Sequence, residues 1–168
     1  MVQVIVGGIA LDAAGEHVIL LRPVGQLPGA GKVLPIWIGA QEATSILIAV
    51  EGAVAPRPLA HDLMRTMLTT VGAVVERVEV TRIDEGTFYA EVTLRHGGGV
   101  HRVDARPSDA IALASRTAAP IFVADDVLDT AGIVDVIGDD DETPEEVERS
   151  VEEFTRFLDD VDPEDFKG

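Results

Sequence analysis

Side chains able to move protons or hold phosphate gather in three short blocks of an otherwise aliphatic chain. The blocks are LPIWIGAQEATSI (Leu34–Ile46), RPLAHDLM (Arg57–Met64) and DARPSDAIALA (Asp104–Ala114). Each sets carboxylates or hydroxyls at or near the predicted start of an apolar helix, where unpaired backbone N–H groups collect anions. Glu42 lies in the first turn after Trp37 and Gly39, with Thr44 and Ser45 close by. A carboxylate there gains ~0.3–1 kcal/mol from the helix dipole with or without chemistry; its strand-to-helix junction also makes it a candidate site carboxylate. His61 and Arg65 are four apart and share a helix side, with Asp62 adjacent. The apolar positions 59, 63 and 67 face elsewhere, so this trio predicts a solvated polar edge. His61 is the group on it suited to proton transfer near neutral pH.

Asp104, Arg106, Ser108 and Asp109 form the densest polar group. With Arg106 as N-cap, Asp109 falls at N3, where it can simply satisfy a backbone donor. That leaves Asp104 and Arg106 without an explanation. Asp104 and Asp109, across a bend, can converge with Glu42 on one divalent cation, and oxygen ligands of this kind suit Mg²⁺ or Mn²⁺. Arg106 can grip a phosphate in a bidentate fork or pair with Glu42, and Arg57 is a second phosphate-binding candidate. His96 and His101 flank a glycine turn and read as a hairpin loop rather than a metal pair. The chain has no GxGxxG, Walker A, HExxH or GxSxG, which leaves a nucleotide-binding fold or a serine hydrolase unsupported. Nothing resembles an RRM, a KH domain or a helix-turn-helix.

The elements that must position these groups follow from period and punctuation. Val2–Leu11, Val18–Arg22 and Val33–Ile38 read as strands, with a Pro/Gly-rich loop before the third. Ala40–Val50 reads as a helix burying Ile46, Leu47 and Val50. Pro58 suits a first helical position. Leu59, Leu63 and Met67, widened by Met64 and Leu68, then predict an amphipathic helix with a buried apolar stripe, ending near Gly72. Val74–Ile83 and Thr87–His96 form the clearest hairpin, turning at Asp84-Glu85-Gly86. Val100–Asp104 follows as a strand, Pro107–Thr117 as a nearly all-buried helix, and Pro120–Val123 as a short strand. The mixture without regular alternation predicts an α+β fold: a largely antiparallel mixed sheet with helices packed on it.

Of the net charge of −17, residues 139–168 carry −11 and residues 1–138 only −6. The first 138 residues therefore read as the α+β domain, and 139–168 as an acidic linker (Asp139–Glu142) and a capped helix with Val147, Val151, Phe154 and Leu158 on one side. This balance excludes a protein that coats polyanions through a basic face, but leaves room for one local arginine cluster. There is no cysteine, hence no disulfide and no cysteine metal site. The opening MVQVIVGGIALD lacks a basic flank and a cleavage signature and reads as a strand. No stretch is long and apolar enough to cross a bilayer, and the expected location is the cytoplasm.

The same blocks, together with the hairpin DEGTFYAEVTL (Asp84–Leu94), resemble the bifunctional nuclease (BFN-domain) family of bacteria and plants, in that family's order and spacing from about Met1 to Ile137. The resemblance implies an α+β homodimer with a wide groove as active site, and DNase and RNase activity. The family's polar motif positions correspond here to Glu42, Arg57, His61, Asp62, Asp104, Arg106, Ser108 and Asp109. On that reading Glu42, Asp104 and Asp109 hold a divalent ion, Arg57 and Arg106 hold phosphate, and His61 is the general acid or base. The competing expectation is a regulatory or scaffold domain whose arginines pin helix ends to carboxylates while the acidic helix docks on a protein partner. A small-molecule pocket lined by Trp37 and Tyr89 is a third.

Overall fold

The computed structural model describes residues 1–136 and Arg156. The acidic linker, the capping box at 143–146, the final apolar stripe and the boundary at 138 lie outside the described residues. One eight-stranded sheet runs β6-β5-β4-β7-β1-β2-β3-β8. In chain order the elements are β1 (Val2–Leu11), β2 (His17–Pro23), β3 (Lys32–Ile38), α1 (Ala40–Val50), α2 (Ala60–Thr70), β4 (Val74–Asp84), β5 (Thr87–His96), β6 (Gly99–Ala105), α3 (Pro107–Thr117), β7 (Ile121–Val123), α4 (Asp125–Ala131) and β8 (Ile133–Val134). All neighbours are antiparallel except β4 and β7. The expected α+β class and its largely antiparallel mixed sheet are what the chain adopts.

Turn chemistry sets the registers of the β4–β5–β6 meander. Asp84 pairs with Thr87, and His96 with Gly99, leaving two-residue loops. Glu85 and Gly86 have φ of 47° and 78°, and Gly97 and Gly98 have 58° and 77°. Positive φ at both loop residues is the primed turn whose twist matches paired strands. His96 and His101 are exposed beside this loop.

The main core lies between the sheet and the helices. Ile19, Leu21, Leu34, Ile36, Val78, Val80 and Val92 of the strands meet Ile46 of α1 and Ala110, Ile111 and Ala114 of α3. Small alanines let α3 settle close to β4 and β5, with α1 along one flank and α2 along the other. A smaller core of Val18, Leu20, Val33 and Trp37 fills the opposite face under Ile133 and Val136. The Arg22–Asp135 ion pair, 2.9 Å, ties β2 to the residues after β8. Trp37 is buried with its indole N–H on Asp12, 3.0 Å, while Tyr89 lies under Arg82, 3.4 Å from guanidinium to ring centre. Four strands separate the two aromatics, so the pocket expected of that pair is not formed.

Helix α2 departs from expectation. Its main contact is α3, and Leu68 packs against the edge of the main core. The only residue it buries is His61, and Leu63, Met64 and Met67 are 53%, 42% and 60% exposed. Of the predicted stripe, Leu63, Met64 and Met67 therefore face outward, while Leu68 packs on the core and Leu59 is partly covered. Pro58 also falls two residues before the helix, which opens at Ala60 with Leu59 as N-cap. In α1, Ile46 is buried as expected, whereas Leu47 and Val50 are exposed. Among the described residues no helix is long and apolar enough to cross a membrane.

Candidate active site

Three helix beginnings converge beside α3. Gly39 is the N-cap of α1, and the Glu42 side chain folds back over it into the space a Cβ would take. That gives the carboxylate its reach toward α3. Arg106 is the N-cap of α3, Pro107 follows at N1, and Asp109 sits in the first turn, as the sequence predicts. Asp109 does not cap the backbone. Its Oδ1 accepts from His61 Nε2 at 2.9 Å and its Oδ2 from Arg106 Nε at 2.8 Å. Arg106 Nη2 donates to Glu42 Oε1 at 3.0 Å. On the other side of the imidazole, His61 Nδ1 lies 2.8 Å from Ser45 Oγ of α1.

A second carboxylate holds α2 in this pose. Asp62 Oδ2 accepts the N–H of Leu59 at 2.9 Å, satisfying a donor that the helix start leaves open. Its Oδ1 accepts from Arg116 Nε at 2.7 Å. Arg116, 4% exposed at its side chain, donates further to the carbonyls of Ala112 and Ser45 at 2.9 and 3.0 Å. One guanidinium thereby ties α1, α2 and α3 together, and fixes the backbone that carries Ser45.

The charges follow the contacts. Burial disfavours the ionised form of Asp109, but the hydrogen bond from Arg106, then that from His61, outweigh it, and its carboxyl stays below the ordinary carboxylate range. The Arg116 hydrogen bond, then the Leu59 N–H, lower Asp62 in the same way. Asp109 and Glu42 raise Arg106 further above an already high value. An ionised Asp109 only accepts hydrogen bonds. The proton between it and His61 is thus on Nε2, and in the neutral ring Nδ1 presents a lone pair to the Ser45 hydroxyl. This tautomer is assigned from the network.

His61, Ser45, Glu42, Arg106 and Asp109 all open on one hollow of about 710 Å³, bounded also by Gln41, Thr44, Ile48, Leu59 and Met64. Its size is that of a ligand site, ~300–1,000 Å³. Arg106, 57% exposed at its side chain, forms the mouth. The predicted site residues divide accordingly. Glu42, His61, Arg106 and Asp109 are brought together, and Asp62 holds them from behind. His61 is 6% exposed, not on a solvated edge, because its ring has a partner at each nitrogen.

The other three stand apart. Asp104 lies opposite Glu91 in the β5–β6 ladder, on the sheet face away from Val103. It borders a second, apolar hollow of about 410 Å³, which Asp109 also lines, and not the polar one. Ser108 is buried in the first turn of α3 and lines neither hollow. Arg57 is exposed in the loop before α2, three residues short of the helix, and does not line the polar hollow. Among the described residues no group of three or more His, Asp or Glu is placed to hold a metal ion. The expected Glu42–Asp104–Asp109 ion site is thus not assembled, because strand alternation turns Asp104 away while Arg106 occupies the space between Glu42 and Asp109.

The bifunctional nuclease domain matches residues 20–135, which contain every group of the hollow. The chain belongs to that family. An uncharacterized protein of Mycobacterium tuberculosis is 39% identical over 170 residues, covering 100% of this chain and 99% of that protein. Bifunctional nuclease 1 of Oryza sativa subsp. japonica is 29% identical over 115 residues, 67% of this chain and 34% of the rice protein. Bifunctional nuclease 1 of Arabidopsis thaliana is 29% identical over 120 residues, 70% of this chain and 36% of its own length. The shared domain is thus about a third of each plant nuclease. Within the family's domain, sequence reasoning overlooked Arg116 and gave Ser45 no role. Arg116 follows a run of alanines and gave no signal beyond being a cation in an apolar helix. Ser45 lies three residues past Glu42 on the same helix, and that spacing was the available hint.

Proposed function

We propose that this domain is a nuclease-type phosphodiesterase acting on DNA, RNA or both, with the hollow between α1, α2 and α3 as its active site. The observation that carries the reading is one carboxylate, Asp109, shared by a buried histidine and a half-exposed arginine on the wall of an open hollow. Phosphodiester cleavage needs a base for the attacking oxygen and a cation for the charge that builds on phosphorus. Asp109 orients His61 so that Nδ1 can take a proton. Arg106 spends Nε and Nη2 on Asp109 and Glu42, which leaves Nη1 for a phosphoryl oxygen. Family membership supports the same reading.

The chain acts as a homodimer in this reading. The outward side of α2, with Val92, Leu94 and Val103 of β5 and β6, borders the apolar hollow, and a second copy is its occupant. The saturated Arg106–Glu42, Arg106–Asp109 and Arg116–Asp62 pairs favour a second reading, a regulatory scaffold with the acidic tail docking on a partner protein. Cleavage of labelled DNA and RNA strands by the wild type and by His61→Gln separates the two. A phosphodiesterase loses about 10²–10⁴-fold with glutamine in place of the base, at unchanged helix content. Equal rates in the two proteins reject the site, and no cleavage by the wild type leaves the scaffold.

A further inference from the structure

We propose that Ser45 is the nucleophile of this site and forms a covalent phosphoseryl intermediate. The inference rests on the phosphodiesterase reading for its substrate class, but on separate geometry for the residue. In six other places a helix hydroxyl hands its proton to the carbonyl one turn back: Thr44 to Ala40, Thr66 to Asp62, Thr69 to Arg65, Thr70 to Thr66, Ser115 to Ile111 and Thr117 to Leu113. That is the ordinary use of a hydroxyl inside a helix. The Ser45 hydroxyl goes instead to the imidazole of His61, 2.8 Å away, whose far nitrogen is held at 2.9 Å by Asp109. A hydroxyl on a base that a carboxylate orients is the arrangement that activates a serine. Here the ring is reversed relative to the usual serine hydrolase: Nδ1 faces the serine and Nε2 the carboxylate.

The surroundings fit that role. Arg116 grips the Ser45 carbonyl at 3.0 Å, fixing its backbone, and Ser45 lines the same hollow as Arg106. DNA offers no 2′-hydroxyl, so its attacking oxygen comes from water or from the protein, and Ser45 is the hydroxyl in contact with the base. In the first step the Ser45 oxygen–phosphorus bond forms, its proton passes to His61 Nδ1, and the bond from phosphorus to the leaving sugar oxygen breaks. That oxygen takes the proton from His61, which returns the ring to its neutral form. In the second step water attacks phosphorus and gives its proton to His61, and the Ser45 oxygen leaves and is reprotonated. The sum is addition of one water across the phosphodiester.

Diisopropyl fluorophosphate tests this without nucleic acid. The Ser45 oxygen–phosphorus bond forms, fluoride leaves, and the Ser45 proton passes to His61. Intact-mass spectrometry of the full chain is expected to show one diisopropylphosphoryl adduct, mapped by peptide digestion to Ser45. It should be absent in Ser45→Ala, whose helix content is compared with the wild type because the change takes the partner from His61 Nδ1, and form about 100-fold more slowly in His61→Gln. No adduct on the wild type, or an adduct of equal yield in Ser45→Ala, overturns the proposal. So does a Ser45→Ala protein that cleaves DNA within about twofold of the wild type. An adduct on Ser45 in a protein that cleaves neither DNA nor RNA would overturn the phosphodiesterase reading and leave the nucleophile standing.

Discussion

The two sides of α2 have exchanged their ordinary places. The inner side carries His61 and Asp62, and apart from the Asp62 bond to the Leu59 N–H its side-chain contacts cross to other elements: to Ser45, to Asp109 and to Arg116. The outer side carries Leu63, Met64 and Met67, all exposed, and Met64 and Met67 border the hollow that Val92, Leu94 and Val103 of the sheet also line. A soluble helix normally turns its apolar stripe inward. Burying a side chain of this size stabilises by about 1.5–3 kcal/mol, so the outer side leaves a gain unrealised that a second copy can supply. The inner side depends on a saturated polar network, in which each buried group has a named partner. The contrast shows that the polar side of α2 makes its specific contacts to α1 and α3, while Leu68 alone of its apolar stripe is packed against the main core.

Removing the inner grip is the strongest way to break that contrast. Arg116→Ala strips the partner from Asp62 and from two carbonyls at once. Loss of one member of a buried ion pair costs about 3–5 kcal/mol, and urea unfolding should show a fall of that order. A loss under about 1 kcal/mol would mean that packing, not this guanidinium, positions α2.

The outer side gives the opposite result. Met64→Lys with Met67→Lys should convert a dimer to a monomer in sedimentation, while single-chain stability stays within about 0.5 kcal/mol per exposed position. A wild type that is monomeric at high concentration removes the second copy from the account.

Acid sharpens the comparison further, with a smaller effect. Asp62 and Asp109 have folded-state pKa values lowered below the ordinary one. Their contribution is complete above the unfolded carboxylate value, about 3.9, and is lost as pH falls through the lowered folded values. Stability should therefore drop steeply on the acid side, and Asp62→Asn or Asp109→Asn should flatten that limb. Substituting an outer-side residue such as Leu63→Ala should leave its shape unchanged. An acid limb as steep in both asparagine variants as in the wild type would show that these pairs are not what acid breaks.

Much of this was legible in the residues. Alternation marked the β4–β5 hairpin, and Asp84-Glu85-Gly86 marked its turn, because period and turn chemistry are local. Arg106 as N-cap with Pro107 behind it was equally local. The facing of α2 was not legible, since a stripe at 59, 63 and 67 states only that one side is apolar. Which side meets the core depends on where the sheet ends. Asp104 missed the polar hollow for a different reason: it and Asp109 straddle the change from strand to helix, and in the ladder Asp104 falls opposite Glu91, so only Asp109 reaches the hollow of Glu42 and His61. Four residues made the site only after folding. Ser45 and Arg116 read as ordinary helix positions, while His61 and Asp109 were candidates whose pairing no spacing announced.

The most direct test is a crystal structure of the protein with a dinucleotide bearing a slowly hydrolysed phosphorothioate linkage. The linkage should lie in the hollow between α1, α2 and α3, its oxygens on Arg106 and its phosphorus facing Ser45 Oγ. A dinucleotide bound elsewhere on the protein, with the hollow vacant at saturating concentration, would contradict that placement.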